Sequence, residues 1–145
     1  GKEVIGQADD LRSTGLAAND QGYMAFWSWN DTERSYYARI HDGSAWQSSP
    51  ELLGGNFTLS HVLGNGDGYA LVWLDNSTDS LGARVYDGLS WQPAAVLENS
   101  SYPITYINEI DVATDGTGYS AVWSQAHGGY EDPVVTKIWH QPFGN

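Results

Sequence analysis

The sequence contains no cysteine, which excludes disulfides, thiolate nucleophiles and cysteine-ligated zinc. Basic residues are scarce: six Lys and Arg stand against eighteen Asp and Glu, giving a net charge of −12. Nucleic acid and anionic membrane surfaces both need a basic footprint, so neither is expected as a partner. No apolar run approaches the ~20 residues that span a bilayer as a helix, and no membrane insertion is expected. No segment keeps helical periodicity over three turns. The G-x-S-x-G, H-E-x-x-H and G-x-x-x-x-G-K-[ST] signatures are all missing. The four histidines, His41, His61, His127 and His140, show no metal-ligand spacing and read as structural.

What the chain has instead is aromatic and apolar mass. Hydrophobic residues make up 41% and aromatics 13%, with seven Trp and nine Tyr, which is not the composition of a disordered chain. A chain of 145 residues is one domain by length and buries roughly two thirds of its unfolded surface. It starts at Gly1 with no apolar signal core, which reads as a processed end with any export signal out of view. Much Trp, Tyr, Gly and Asn with little Lys fits an extracellular or cell-surface protein of bacterial type. The N-x-S/T triplets at Asn30, Asn56, Asn76 and Asn99 are what turn-rich composition produces.

An internal repeat is the strongest signal. Gly22-Tyr23-Met24-Ala25-Phe26-Trp27 recurs as Gly68-Tyr69-Ala70-Leu71-Val72-Trp73 and as Gly118-Tyr119-Ser120-Ala121-Val122-Trp123, at offsets of 46 and 50 residues. Ala38-Arg39-Ile40-His41-Asp42-Gly43-Ser44-Ala45-Trp46-Gln47 matches Ala83-Arg84-Val85-Tyr86-Asp87-Gly88-Leu89-Ser90-Trp91-Gln92. The third copy is degenerate: Thr136-Lys137-Ile138-Trp139 aligns with this block, and the Asp-Gly-x-x-Trp turn is missing. The units are about 8–55, 56–100 and 101–145. Asn, Asp and Gly precede each Gly-Tyr block, as in Asn65-Gly66-Asp67-Gly68. These residues tolerate the positive φ of tight hairpins.

The Gly-Tyr strands are apolar on both faces: Tyr69, Leu71 and Trp73 point one way, Ala70, Val72 and Leu74 the other. Such a strand belongs inside a stack of sheets. An all-β fold is expected, with three four-stranded antiparallel blades in β-propeller style; a β-trefoil or β-prism is the alternative. Glu3-Val4-Ile5-Gly6-Gln7 resembles the half-strands Glu51-Leu52-Leu53-Gly54-Gly55 and Ala95-Val96-Leu97-Glu98. Residues 2–7 are therefore expected to supply an outer closing strand. Three blades are too few for an ordinary ring, so either two chains close a ring as a homodimer or the chain is part of a longer repeat array.

These residues resemble β-propeller repeats of bacterial extracellular proteins. Asp87-Gly88-Leu89-Ser90-Trp91 is similar to a shortened Asp-box turn of sialidase-type propellers. Asp42-Gly43-Ser44-Ala45-Trp46, followed by Leu52-Leu53-Gly54-Gly55, is similar to blade turns of bacterial fucose-binding propeller lectins. The resemblance implies a propeller fold, short chains that assemble into rings, and carbohydrate as ligand. It does not extend to fucose specificity, because the regular Arg and Glu ligands of those lectins are missing and each turn carries one Trp. Sialidase chemistry needs an arginine cluster, and only Arg12 and Arg34 lie outside the repeat pattern.

Trp27, Trp73 and Trp123 repeat, so they are expected in the core. Arg39 and Arg84 also repeat and are expected to have a structural role, such as an ion pair with a turn Asp. Aromatics that do not repeat are better platforms for a sugar ring, which needs an aromatic face beside hydrogen-bonding groups. Two clusters meet that description: Trp29 and Tyr37 with Asn30, Asp31, Glu33 and Arg34, and Tyr130 with His127, Glu131 and Asp132. Replacing Trp29 by Ala is expected to abolish sugar binding and leave the fold intact. Calcium is the one metal considered, at the oxygen-rich stretches 65–67 and 75–79, although turn chemistry also explains them. No resident cofactor and no catalysis are expected. The resulting expectation is a non-catalytic carbohydrate-binding, lectin-like module displayed outside the cell, whose partner is a surface glycan. A structural or adhesion scaffold is the second reading and a glycosidase-like enzyme the third.

Overall fold

Hairpin signals at nearly every strand end and two-sided apolar strands predict meandering sheets that need cover on both faces. The computed structural model describes residues 3–7, 10–29, 31–75, 77–98, 105–127 and 135–144, and among them it contains strands and no helix. Among the described residues no helix is long and apolar enough to cross a membrane. The first sheet has four strands: β1 (Leu11–Ala18), β2 (Tyr23–Trp29), β3 (Tyr36–His41) and β4 (Glu51–Gly54). The second repeats this with β5 (Phe57–Asn65), β6 (Gly68–Asp75), β7 (Ser80–Tyr86) and β8 (Ala95–Glu98). The third has three strands: β9 (Thr105–Thr114), β10 (Tyr119–His127) and β11 (Val135–Phe143). Each sheet is an open antiparallel meander in chain order.

The sheets stack face to face, with β1 against β5 and β5 against β9. Alternation along β6 decides what each face touches. Tyr69 and Leu71 join a core cluster with Met24, Ala38, Ile40 and Leu53 of the first sheet. Val72, Leu81, Ala83 and Leu97 of the second sheet join another with Val112, Ala121 and Trp123 of the third. Each fully buried large side chain contributes roughly 1.5–3 kcal/mol of transfer free energy. The repeated tryptophans are interior as expected: Trp27 and Trp123 are buried, and Trp73 packs against the first cluster.

The Asp-Gly-x-x-Trp turns are built alike. Asp42 Oδ1 accepts from the N–H groups of Ser44 and Ala45, each at 2.9 Å. Asp87 Oδ1 accepts from Leu89 and Ser90 at 2.9 and 2.8 Å. Gly43 and Gly88 sit at φ of 91° and 93°, a region that disfavours any side chain. The turn returns the chain so that Trp46 bridges to His41 and Trp91 to Tyr86.

Arg39 and Arg84 are structural as expected, but their hydrogen-bond partners are backbone carbonyls and not turn aspartates. Arg39 donates to Gln47 O at 2.6 Å and Ile5 O at 3.0 Å, and Arg84 to Gln92 O at 2.9 Å and Leu53 O at 3.4 Å. A planar guanidinium with several donors suits two backbone carbonyls from different segments better than one short carboxylate held in its own turn. The third copy also has a different register. Arg39 lies opposite Ala25 and Arg84 opposite Leu71, while Ala121 lies opposite Gln141, so Gln141 and not Lys137 occupies the arginine position.

Candidate functional site

A concavity lies between the second and third sheets. Its rim is assembled from turns. The β5–β6 hairpin pairs Asn65 with Gly68 across Gly66, which has a φ of 51°. On the third sheet, Asp115 Oδ1 accepts from Thr117 N–H at 2.9 Å, Thr117 Oγ1 at 2.8 Å and Gly118 N–H at 3.0 Å, which fixes Thr117 at the mouth. Asn65 Nδ2 donates across the gap to Gly118 O at 3.3 Å, as Asn19 Nδ2 does to Gly68 O at 3.5 Å one sheet earlier. The groove between these elements encloses about 560 Å³.

Its lining mixes aromatic faces with oxygen and amide groups. Tyr119 and Phe143 stack with ring centroids 5.6 Å apart, and Asp67, Asp87, Gln92 and Thr117 add polar groups. Asn65 Oδ1 and Tyr119 OH are buried and have no hydrogen-bond partner among the described residues. Burial pushes the Tyr119 phenol up to about 12, so it remains a neutral donor. The Asp87 carboxyl is held below its ordinary range by the N–H groups of Ser90 and Leu89 and stays ionised at neutral pH. Among the described residues, the carboxyls with displaced pKa values, Asp31, Asp42, Asp75, Asp87 and Asp115, are displaced downward by hydrogen bonds.

The groove has a cause in the repeat. At the first interface Tyr86 and Trp91 pack in one cluster with Ala38 and Ile40. Ala83 and Val85 are the counterparts of Ala38 and Ile40, and they line the groove. The third unit has no Asp-Gly-x-x-Trp motif to bring a tryptophan there.

Of the described loop candidates, Trp29, Arg34 and Tyr37 lie near one another and Glu33 does not share their cleft. Asp31 organises the β2–β3 loop, accepting from Glu33 N–H at 3.1 Å and from Ser35 N–H at 2.9 Å and Oγ at 2.6 Å. Trp29 and Arg34 line a cleft of about 340 Å³ with Arg12, Ser13, Ser28 and Tyr36. Tyr37 packs on Trp29 with centroids 4.8 Å apart. Glu33 does not line that cleft; its carbonyl accepts from Asn56 N–H instead. Asn30, Tyr130 and Glu131 lie outside the described residues.

Sequence reasoning did not place Asp67, Asp87, Gln92, Thr117, Tyr119 or Phe143 in a common groove, because each reads locally as turn or core. The one signal for the groove was the missing third Trp turn. Calcium finds no assembled site: among the described residues no group of three or more His, Asp or Glu side chains is placed to hold a metal. Asp75 Oδ1 accepts from Ser77 N–H, Ser77 Oγ and Thr78 N–H, which is turn chemistry. Comparison of the chain with known protein families, with curated proteins and with solved structures finds no match.

Proposed function

We propose that the chain is a non-catalytic carbohydrate-binding module, built as three blades of a β-propeller and displayed outside the cell. Face-to-face stacking of meander sheets in chain order, with the first strands of successive sheets adjacent, supports the blade reading. The observation that carries the functional reading is the groove between the second and third sheets. Its volume falls in the range of small-ligand sites. Phe143, half-buried and backed by the buried Tyr119 ring, offers an aromatic face to the apolar side of a sugar, and Asp67, Asp87, Gln92 and Thr117 offer hydrogen bonds to its hydroxyls. Proton transfer to a leaving group needs a carboxyl whose pKa is raised, whereas Asp87 is held down by its turn. Such a group accepts hydrogen bonds from hydroxyls and does not act as a general acid.

A glycan array with the labelled protein, run with and without calcium, tests this. Selective binding to one sugar class is expected, weakened at least tenfold by Gln92→Ala or Thr117→Ala and little changed by Trp29→Ala. Loss with Trp29→Ala alone would move the ligand to the loop cleft. A blank array would overturn the carbohydrate reading and favour a scaffold.

A further inference from the structure

Residues 3–7 are not part of any of the three sheets, yet they are seated specifically. Ile5 O accepts from Arg39 Nη1 as Leu53 O accepts from Arg84 Nη1. Leu53 belongs to β4, the fourth strand of the sheet that precedes β7 in the stack. By the same bond, Ile5 stands as the fourth strand of a sheet preceding the first. The exposure pattern agrees: Val4 is 76% exposed, like its counterparts Leu52 at 54% and Val96 at 63%. Gly6 lies so close to Trp27 that an added Cβ would be 2.6 Å from the indole, so the segment rests on the first sheet's outer face. The third sheet, in turn, has three strands and an unpaired β11 edge among the described residues.

Each end face of the stack is exposed at some positions that are covered inside it, while Ala25 and Trp27 on the first sheet's outer face are buried. Tyr23 is 50% exposed, against 1% for Tyr69 and 4% for Tyr119. Leu16, opposite Ala25, is 65% exposed, while its counterpart Val112, opposite Ala121, is 7% exposed. On the far side of the third sheet Val122 is 39% exposed, where Val72 is fully buried. Each internal interface joins the back of one sheet to the front of the next, and the ends present one unused face of each kind.

We infer that a second copy of this chain docks head to tail, its third sheet against the first sheet's outer face. Residues 3–7 of one copy then become the fourth strand beside β11 of the other. By analogy with the pairs Tyr37–Leu52 and Gly82–Val96, Val4 falls opposite the partner's Trp139. Two such contacts related by a twofold axis close a ring of six sheets with no exposed blade face. This rests on the blade reading and not on the sugar.

Light scattering on the eluting 145-residue chain tests it. The expected mass is twice the 15.9 kDa of one chain, and a folded species of one chain mass at tens of micromolar would overturn it. Val122→Asp and Tyr23→Glu alter opposite end faces at positions already exposed in one chain. Each alone is expected to raise the dissociation constant at least 100-fold with unchanged tryptophan emission. Mixing the two variants leaves one intact head-to-tail contact and is expected to restore a two-chain species. Failure of the mixture to associate, or an unchanged dimer in either variant, would overturn the head-to-tail assignment. A blank glycan array leaves all these outcomes unaffected.

Discussion

Single carboxylates fix the turns on which the sheets depend. Asp42 is held to about 2 from an ordinary 3.8, chiefly by the N–H of Ala45 and then by Ser44. A pKa depressed by folding adds stability that is complete above 3.8 and lost as pH falls toward about 2. Asp87 and Asp115 act in the same direction. Acid unfolding followed by tryptophan emission should therefore be steepest below pH 4, and Asp42→Asn should flatten that limb; an unchanged acid limb would contradict the turn assignment. Tyr69 and Tyr119 work at the other end of the scale. Burial pushes both up to about 12, so their contribution is complete below 10.0 and lost as pH rises toward 12. Burial also raises Tyr86, so spectrophotometric titration of the folded protein should show Tyr69, Tyr86 and Tyr119 ionising late, together with alkaline unfolding.

The strands and turns were largely legible in the sequence, and the reason is local. Tyr69 and Leu71 alternate with Ala70 and Val72, and both sets are apolar, so a strand covered on both sides follows from period alone. Gly43 and Gly88 precede tryptophans at matching positions because both turns need a positive φ. Gly88→Ala should cost about 1–3 kcal/mol from backbone strain, read as a lower urea midpoint with unchanged slope. The added Cβ also lies 3.0 Å from Asp67 Cβ, so ligand binding in the groove should weaken as well. Trp123, 2% exposed in the second core cluster, should cost roughly 3–5 kcal/mol on replacement by Ala; a surface-like loss below 1 kcal/mol would place it outside the core. What local pattern did not carry was register. Lys137 matches Arg84 by eye, but pairing across β10 puts Gln141 there, and pairing is set by the neighbouring strand.

At the scale of the whole molecule, sequence reasoning weakens for the same physical reason. Which residues share a groove depends on how one sheet is offset from the next. Asp67, Asp87 and Tyr119 lie far apart in the chain and meet only because the sheets stack. The loop cluster around Trp29 was legible because its members are consecutive, and three of its residues, Trp29, Arg34 and Tyr37, do come together. The high negative charge opposes association of copies at long range. Raising salt shortens the Debye length to about 8 Å at physiological strength, so the two-chain species should gain mass fraction from low to moderate salt.

The most direct measurement is the glycan array, run in parallel on the wild-type chain and on Thr117→Ala. Thr117 lies at the mouth of the groove, exposed and outside both cores, so the variant should fold normally. Selective binding by the wild type, lost by the variant at equal tryptophan emission, is the predicted result. An array blank for both proteins, or equal binding by both, would contradict a carbohydrate site between the second and third sheets.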